Sequence, residues 1–355
     1  MTSRSNLLTL LGIDCPIIQA PMAGTSTPEL AAAVSNAGAL GSLGLGSSTV
    51  AVAAQMIAAF RERSSRSLNL NVFCHAPAQA DAAREQRWLA RLAPEFASFG
   101  AAPPSALHEI YRTFRADDEF LRLFIEQRPR VVSFHFGLPL PEQITALRDA
   151  GIVLLGSATN LDEARQLANA GAHAIVAQGY EAGGHRGIFD PTAEDARLGT
   201  FALTRVLVKN LNLPIIAAGG IMDGAGIAAA LRLGASAAQL GTAFVSCAES
   251  AADPGYRALL HSEAAHHTVM TPALSGRPAR CLANRFTAFA KNVAEAEIPA
   301  YPIAYDAAKA LHAAAKARGE FGFGAQWAGQ GAPLSRALPA AELVATLRRE
   351  LESAS

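Results

Sequence analysis

Eight short apolar runs recur along the chain: 16–22 (PIIQAPM), 39–45 (ALGSLGL), 68–74 (LNLNVFC), 131–137 (VVSFHFG), 152–158 (IVLLGSA), 174–179 (AIVAQG), 214–220 (PIIAAGG) and 237–244 (AAQLGTAF). They are continuous rather than alternating, which suits strands buried on both faces of a parallel sheet. Helical patterns lie between most of them and carry start signals. Thr27-Pro28-Glu29 puts proline at a first helical position, and Pro141-Glu142 repeats the device. Asn160 with Glu163 reads as a variant capping box, and Asp223-Gly224 precedes the apolar stretch 227–233. Strand and helix alternating eight times predict an α/β protein, a (β/α)₈ TIM barrel. A doubly wound open sheet is the rival, but strict alternation over eight strands favours closure.

Two segments break the rhythm. Residues 76–117 carry Pro77, Pro103 and Pro104, and 249–302 follow the eighth strand. Both read as long, mostly helical insertions, expected to pack together as a cap beside the barrel mouth. The barrel would then comprise 1–75, 118–248 and 303–355. The tail, 339–351, reads as a final amphipathic helix.

Composition narrows the partners. The 355 residues suit one barrel with insertions, or two domains. Lys plus Arg balance Asp plus Glu at 30 each, and no basic run of four occurs. Nucleic acid and anionic membrane surfaces are therefore poor partners. Cys15, Cys74, Cys247 and Cys281 show no metal-ligand spacing, so reduced thiols are expected. Residues 1–14 are too short and polar for a signal peptide, and 225–245 is interrupted by Arg232 and Gln239. A soluble, cytoplasmic protein is expected, either monomer or homodimer.

Barrels carry their chemistry at the C-terminal strand ends. The first strand ends in Ala20-Pro21-Met22, the third offers Asn69 and Asn71, the fourth His135, and the fifth Ser157 and Thr159. The sixth ends in Gln178 and runs into YEAGGHRG, which contains Gly183, Gly184 and His185. The last two end in Gly219-Gly220 and in Gln239-Leu240-Gly241-Thr242. These glycines lie where barrels bind phosphate, because backbone N–H groups can approach its oxygens. Tight turns needing positive φ would give the same pattern. Asp223 reads as a helix cap, since a carboxylate would repel phosphate. Gln178 and Asn71 suit either a cofactor ring or buried loop carbonyls. His135 is either a satisfied core histidine or points inward at the mouth. His185 lies in a loop too glycine-rich for a core, and Glu181 with Arg186 reads as a surface ion pair.

Absences limit the reaction. The four lysines, Lys209, Lys291, Lys309 and Lys316, miss the strand ends, which disfavours a Schiff-base aldolase. No strand-end carboxylate trio suits magnesium. Cys74 and His75 are neighbours on a strand and point to opposite faces, so they make a poor catalytic pair. An organic redox cofactor positioned by the protein fits what remains.

The segments PIIQAPMAG, NVF, VAQGYEAGGHRG, PIIAAGGIMDG and QLGTAF, with SGRPARCLANRF and WAGQG further on, resemble the nitronate monooxygenases of bacterial and fungal type. The likeness runs nearly end to end, and AGGHRG is its most specific element. It implies a TIM barrel with a helical cap that binds FMN and no metal. It places Met22, Asn71, Gln178, Gly183, Gly220 and 239–242 around FMN, with His185 as the catalytic histidine. It also implies oxidation of alkyl nitronates such as propionate 3-nitronate with O₂, by single-electron transfer to flavin, giving nitrite and a carbonyl product. Tyr180 and His135 keep open roles. His185 is expected to donate a hydrogen bond to the nitro oxygens and to act as base toward neutral nitroalkanes. The alternative is an NAD(P)H-dependent FMN reductase of quinone or enoyl-thioester type. A metabolite-binding module without turnover is the third reading.

Overall fold

Apolar runs without alternation need cover on both faces, and all eight enter one parallel sheet of the computed structural model, which describes residues 3–354. In chain order the strands are β1 (Ile17–Gln19), β2 (Gly41–Gly44), β3 (Leu68–Phe73), β4 (Val131–His135), β5 (Val153–Ala158) and β6 (Ala174–Gln178). Then come β7 (Gly184–His185), β8 (Ile215–Ala218), β9 (Ala237–Leu240), β10 (Thr268–Thr271) and β11 (Ala279–Leu282). The large sheet runs β1-β9-β8-β6-β5-β4-β3-β2. Its two ends meet through a parallel bridge between Ile18 and Leu40, so the eight strands form a nearly closed barrel. At this seam the Gln19 side chain stands in for backbone. Its Oε1 accepts from Ser42 N at 2.8 Å, one step beyond the pair Gln19 N to Leu40 O at 2.9 Å.

The helices begin where the caps predict. Thr27 accepts from Leu30 N ahead of Pro28–Asn36, and Asp223 accepts from Gly226 N ahead of Gly224–Arg232. Inside the barrel, Ile18, Val131, Leu155, Val176 and Ile216 form a dry core, floored by Leu7 and Leu11 of the helix Ser3–Leu11. Burying each such side chain stabilises the fold by roughly 1.5–3 kcal/mol. The last helix, Ala340–Ala354, buries Leu343, Val344 and Leu347 in the core shared by β1, β9 and the helix Gly224–Arg232. The chain thus leaves the barrel after β9 and returns to supply its eighth outer helix. Among the described residues no helix is long and apolar enough to cross a membrane.

The two insertions share a core. Trp88, Leu92 and Phe96 of the helix Ala82–Ser98 pack with Leu274, Phe286 and Phe323, and with Ala304 and Leu311 of the helix Ile303–Lys316. Contrary to the expectation from sequence, the segment 249–302 is not mostly helical. It holds the antiparallel hairpin of β10 and β11, and β11 pairs with β7, setting Ala279 against His185. Its β-branched run TVMT and the buried run ARCL are too short to stand out beside the surrounding helical patterns.

Candidate active site

The C-terminal ends of the strands open into a cavity of about 460 Å³, within the range of small-molecule sites. Ala20, Pro21, Met22, Asn71, Gln178, Gly183, Gly184, His185, Gly219, Gly220, Gln239, Gly241 and Thr242 all line it. Leu240 does not. Side chains alternate along β9, so Gln239 faces inward while Leu240 packs outward with Leu30 and Ile227. Only its carbonyl reaches the rim, accepting from Ala20 N at 2.8 Å.

His185 is not on a free loop. β11 pins its strand, and two side chains clamp its carbonyl: Gln178 Nε2 donates at 2.9 Å and His135 Nε2 lies at 3.1 Å. A carbonyl only accepts, so the His135 proton sits on Nε2. Gln178 Oε1 accepts from Gly187 N at 2.7 Å, so both ends of that amide are committed to the loop. His135 also lines the cavity, and both readings of it hold at once.

The loop is anchored from behind. Arg186, buried, pairs with Asp195 at 2.8 Å rather than with Glu181. Glu181 instead accepts from Thr200 N at 2.8 Å, and Thr200 Oγ1 lies 2.9 Å from the Gly219 carbonyl. Tyr180 is outside the cavity lining, with the guanidinium groups of Arg186, Arg197 and Arg280 over its ring. Its position is structural.

The rings around His185 were not legible as a set. Trp327, Phe136, Tyr301 and Tyr305 have centroids 5.0, 5.5, 5.5 and 6.3 Å from its imidazole. Phe136 holds φ +70, a conformation bulky side chains avoid, and Arg277 stacks 4.5 Å over its ring. Such a backbone persists only where its surroundings over-determine it. Phe136, Trp327 and Tyr301 come from three separate segments, and nothing local in the sequence links them.

Gly220 has φ +71 and Gly219 φ +117, and among the described residues no hydrogen bond engages the amides of Gly220 and Gly241. Free N–H groups bordering the cavity, one from the positive-φ Gly220 and one from Gly241, suit the phosphate of a mononucleotide. Asn71 Nδ2 donates to Ser133 Oγ at 3.0 Å and to its carbonyl at 3.1 Å, which leaves Oδ1 as acceptor on the cavity side. The residues present therefore fit FMN at its phosphate and at its polar ring edge.

Burial keeps the histidines neutral. Desolvation, then the charges of His135, Arg277 and His75, press His185 down to about 3. Desolvation alike holds His135 and His75 near 4. Each folded value lies below the unfolded one, so the unfolded chain binds protons first as pH falls. The stability they contribute is complete above pH ~6.5 and drains as pH falls toward about 4 for His135 and His75 and toward about 3 for His185. Melting temperature should decline from pH 7 to pH 5, and His75→Phe should decline less steeply. Equal slopes for the two proteins would remove His75 from the account.

The chain has relatives among known proteins. The family profile described as nitronate monooxygenase matches residues 4–350. A nitronate monooxygenase of Paraburkholderia phytofirmans is 63% identical over 99% of this chain and 96% of its own length. One from Pseudomonas aeruginosa is 54% identical over 99% of each. The crystal structure of a nitroalkane oxidase from Streptomyces ansochromogenes superposes with a TM-score of 0.89, at 39% identity and 98% coverage of both chains. FabK from Thermotoga maritima is more distant, with a TM-score of 0.73 at 29% identity, over 98% of this chain and 96% of its own. With the profile spanning nearly the whole chain and such identities end to end, the chain belongs to the nitronate monooxygenase family.

Proposed function

We propose that the chain binds FMN in the barrel-mouth cavity and oxidises alkyl nitronates with O₂, yielding nitrite and a carbonyl product. One observation carries the reading: a neutral histidine, clamped through its backbone, shares a single cavity with a cradle of unengaged glycine amides. Bound FMN supplies the electron-accepting ring and the reaction with O₂. Gly220 and Gly241 would hold its phosphate through backbone N–H groups, and Asn71 Oδ1 would be free to accept a hydrogen bond from it. His185 faces the substrate, while Tyr305 and Trp327, on the cavity wall, exclude water. Toward a neutral nitroalkane, His185 takes the α-proton. A desolvated imidazole is a weak base, but the nitronate anion formed beside it favours the imidazolium and restores its basicity. We place the enzyme in the cytoplasm, where its four buried free thiols stay reduced.

The test is a substrate panel on the purified protein, with O₂ uptake and nitrite recorded. Nitronates should be consumed with nitrite release, and NADH should reduce the flavin poorly. If NADH with a quinone exceeds every nitronate in kcat/KM, the NAD(P)H-dependent FMN reductase reading replaces this one.

A further inference from the structure

We infer that Ser275 holds His185 in its Nε2–H tautomer, so that the ring offers the cavity a lone pair on Nδ1 and not an N–H. His185 Nε2 lies 2.8 Å from Ser275 Oγ, and the serine is fully buried between the cap and the barrel mouth. A hydroxyl has one proton to give and two lone pairs to fill. Ser275 Oγ donates to the Arg277 carbonyl at 3.2 Å and accepts from Arg277 N at 3.4 Å. Among the described residues no other donor reaches that carbonyl. One lone pair remains, and it lies toward His185, so Nε2 must be the donor. The opposite tautomer would take the serine proton for Nε2 and leave the buried Arg277 carbonyl without a partner. Losing a buried partner costs more than a hydrogen bond gains. No hydrogen bond among the described residues engages Nδ1, and the ring borders the cavity.

The inference rests on reading His185 as the base toward neutral nitroalkanes, and it reverses half of what the sequence leads one to expect. The resting ring accepts; it cannot donate to a nitro oxygen from Nδ1. In the proton-transfer step the α C–H bond breaks, its electron pair delocalises into the nitro group, and the proton goes to Nδ1. Nε2–H stays bonded to Ser275 throughout. Only the resulting imidazolium donates toward the anion it has just formed. Ser275 is thus a positioning residue, acting through His185.

Nitrogen-15 NMR of the purified protein, ring-labelled at histidine, reads the tautomer without turnover. The His185 signals are assigned by their loss in His185→Asn. Wild type should show a protonated, pyrrole-type Nε2 and an unprotonated, pyridine-type Nδ1. Ser275→Ala should mix or invert the two forms, and Ser275→Thr, which keeps the hydroxyl, should restore them. In parallel, kcat/KM on a neutral nitroalkane should fall about two- to tenfold in Ser275→Ala, the worth of one neutral hydrogen bond, and return in Ser275→Thr. A wild-type Nδ1–H signal overturns the proposal even if the alanine variant fails to fold, and so does an unchanged tautomer in a folded Ser275→Ala. Absence of nitroalkane turnover, with the tautomer as expected, counts against the base reading alone.

Discussion

His185→Asn is expected to cut kcat/KM on a neutral nitroalkane about 10²–10⁴-fold, the usual worth of a positioned general base. The same variant should lose only about two- to tenfold on the matching nitronate, where no proton is removed and a single neutral interaction is at stake. The contrast follows from the substrate: a nitronate is already an anion, whereas its parent acid holds a C–H bond that something must break. Asparagine approximates the ring's polarity and size but has no usable basicity. The substitution should leave flavin in place, because the cradle amides belong to other strand ends and the His185 backbone stays clamped by Gln178, His135 and β11. The measurement is kcat/KM for both forms of one compound, wild type against variant, at one pH. Equal losses on both forms would mean that His185 only positions substrate. Unchanged rates on both would take it out of the site.

Gly220→Val should give colourless protein. Valine at φ +71 is strained, at roughly 1–2 kcal/mol for a left-handed L-residue and more for a branched one. Its Cβ would stand 3.3 Å from Glu181 Cβ. Glu181 cannot give way freely, since its carboxylate holds the start of the helix Thr200–Asn210. The Gly220 amide would then turn away from the phosphate. Each charge-assisted bond lost there is worth about 1.5–3 kcal/mol, so affinity should fall about tenfold to a hundredfold for that bond alone. Heat release and chromatography should recover about one FMN per chain from wild type and little from the variant. Full flavin retention in Gly220→Val would remove the cradle from the phosphate site. Recovery of FAD would overturn the cofactor assignment itself.

All eight barrel strands were legible because their signal is local: an apolar run, buried on both faces, between capped helices. The strand-end residues were legible for the same reason, since a barrel's topology gathers them without further information. What was lost depends on partners distant in sequence. The pairing of β7 with β11 joins residues about a hundred positions apart, and no periodicity announces it. Arg186 was matched with Glu181 on nearness alone, but the buried guanidinium takes Asp195 nine residues on, across a loop that must first fold. The helix Ser3–Leu11 was passed over because its buried Leu7 and Leu11 look, in one dimension, like any short leucine-bearing start. Leu240 was mistaken for a site residue by counting the strand end as a block. The two-residue period of the strand already held the answer.

The Gln19 seam carries a consequence of its own. The same amide that continues the ladder onto β2 also donates from Nε2 to Ser26 Oγ at 2.9 Å, and that hydroxyl accepts from Met22 N at 3.0 Å. Met22 is part of the cavity wall. Ring closure and the shaping of that wall are therefore one event, not two. Until the first and second strands meet, the Gln19 amide lacks its Ser42 partner, and the brace that runs through Ser26 to Met22 is incomplete. The seam and the cavity wall are thus mechanically one piece, and a disturbance at either reaches the other through a single side chain.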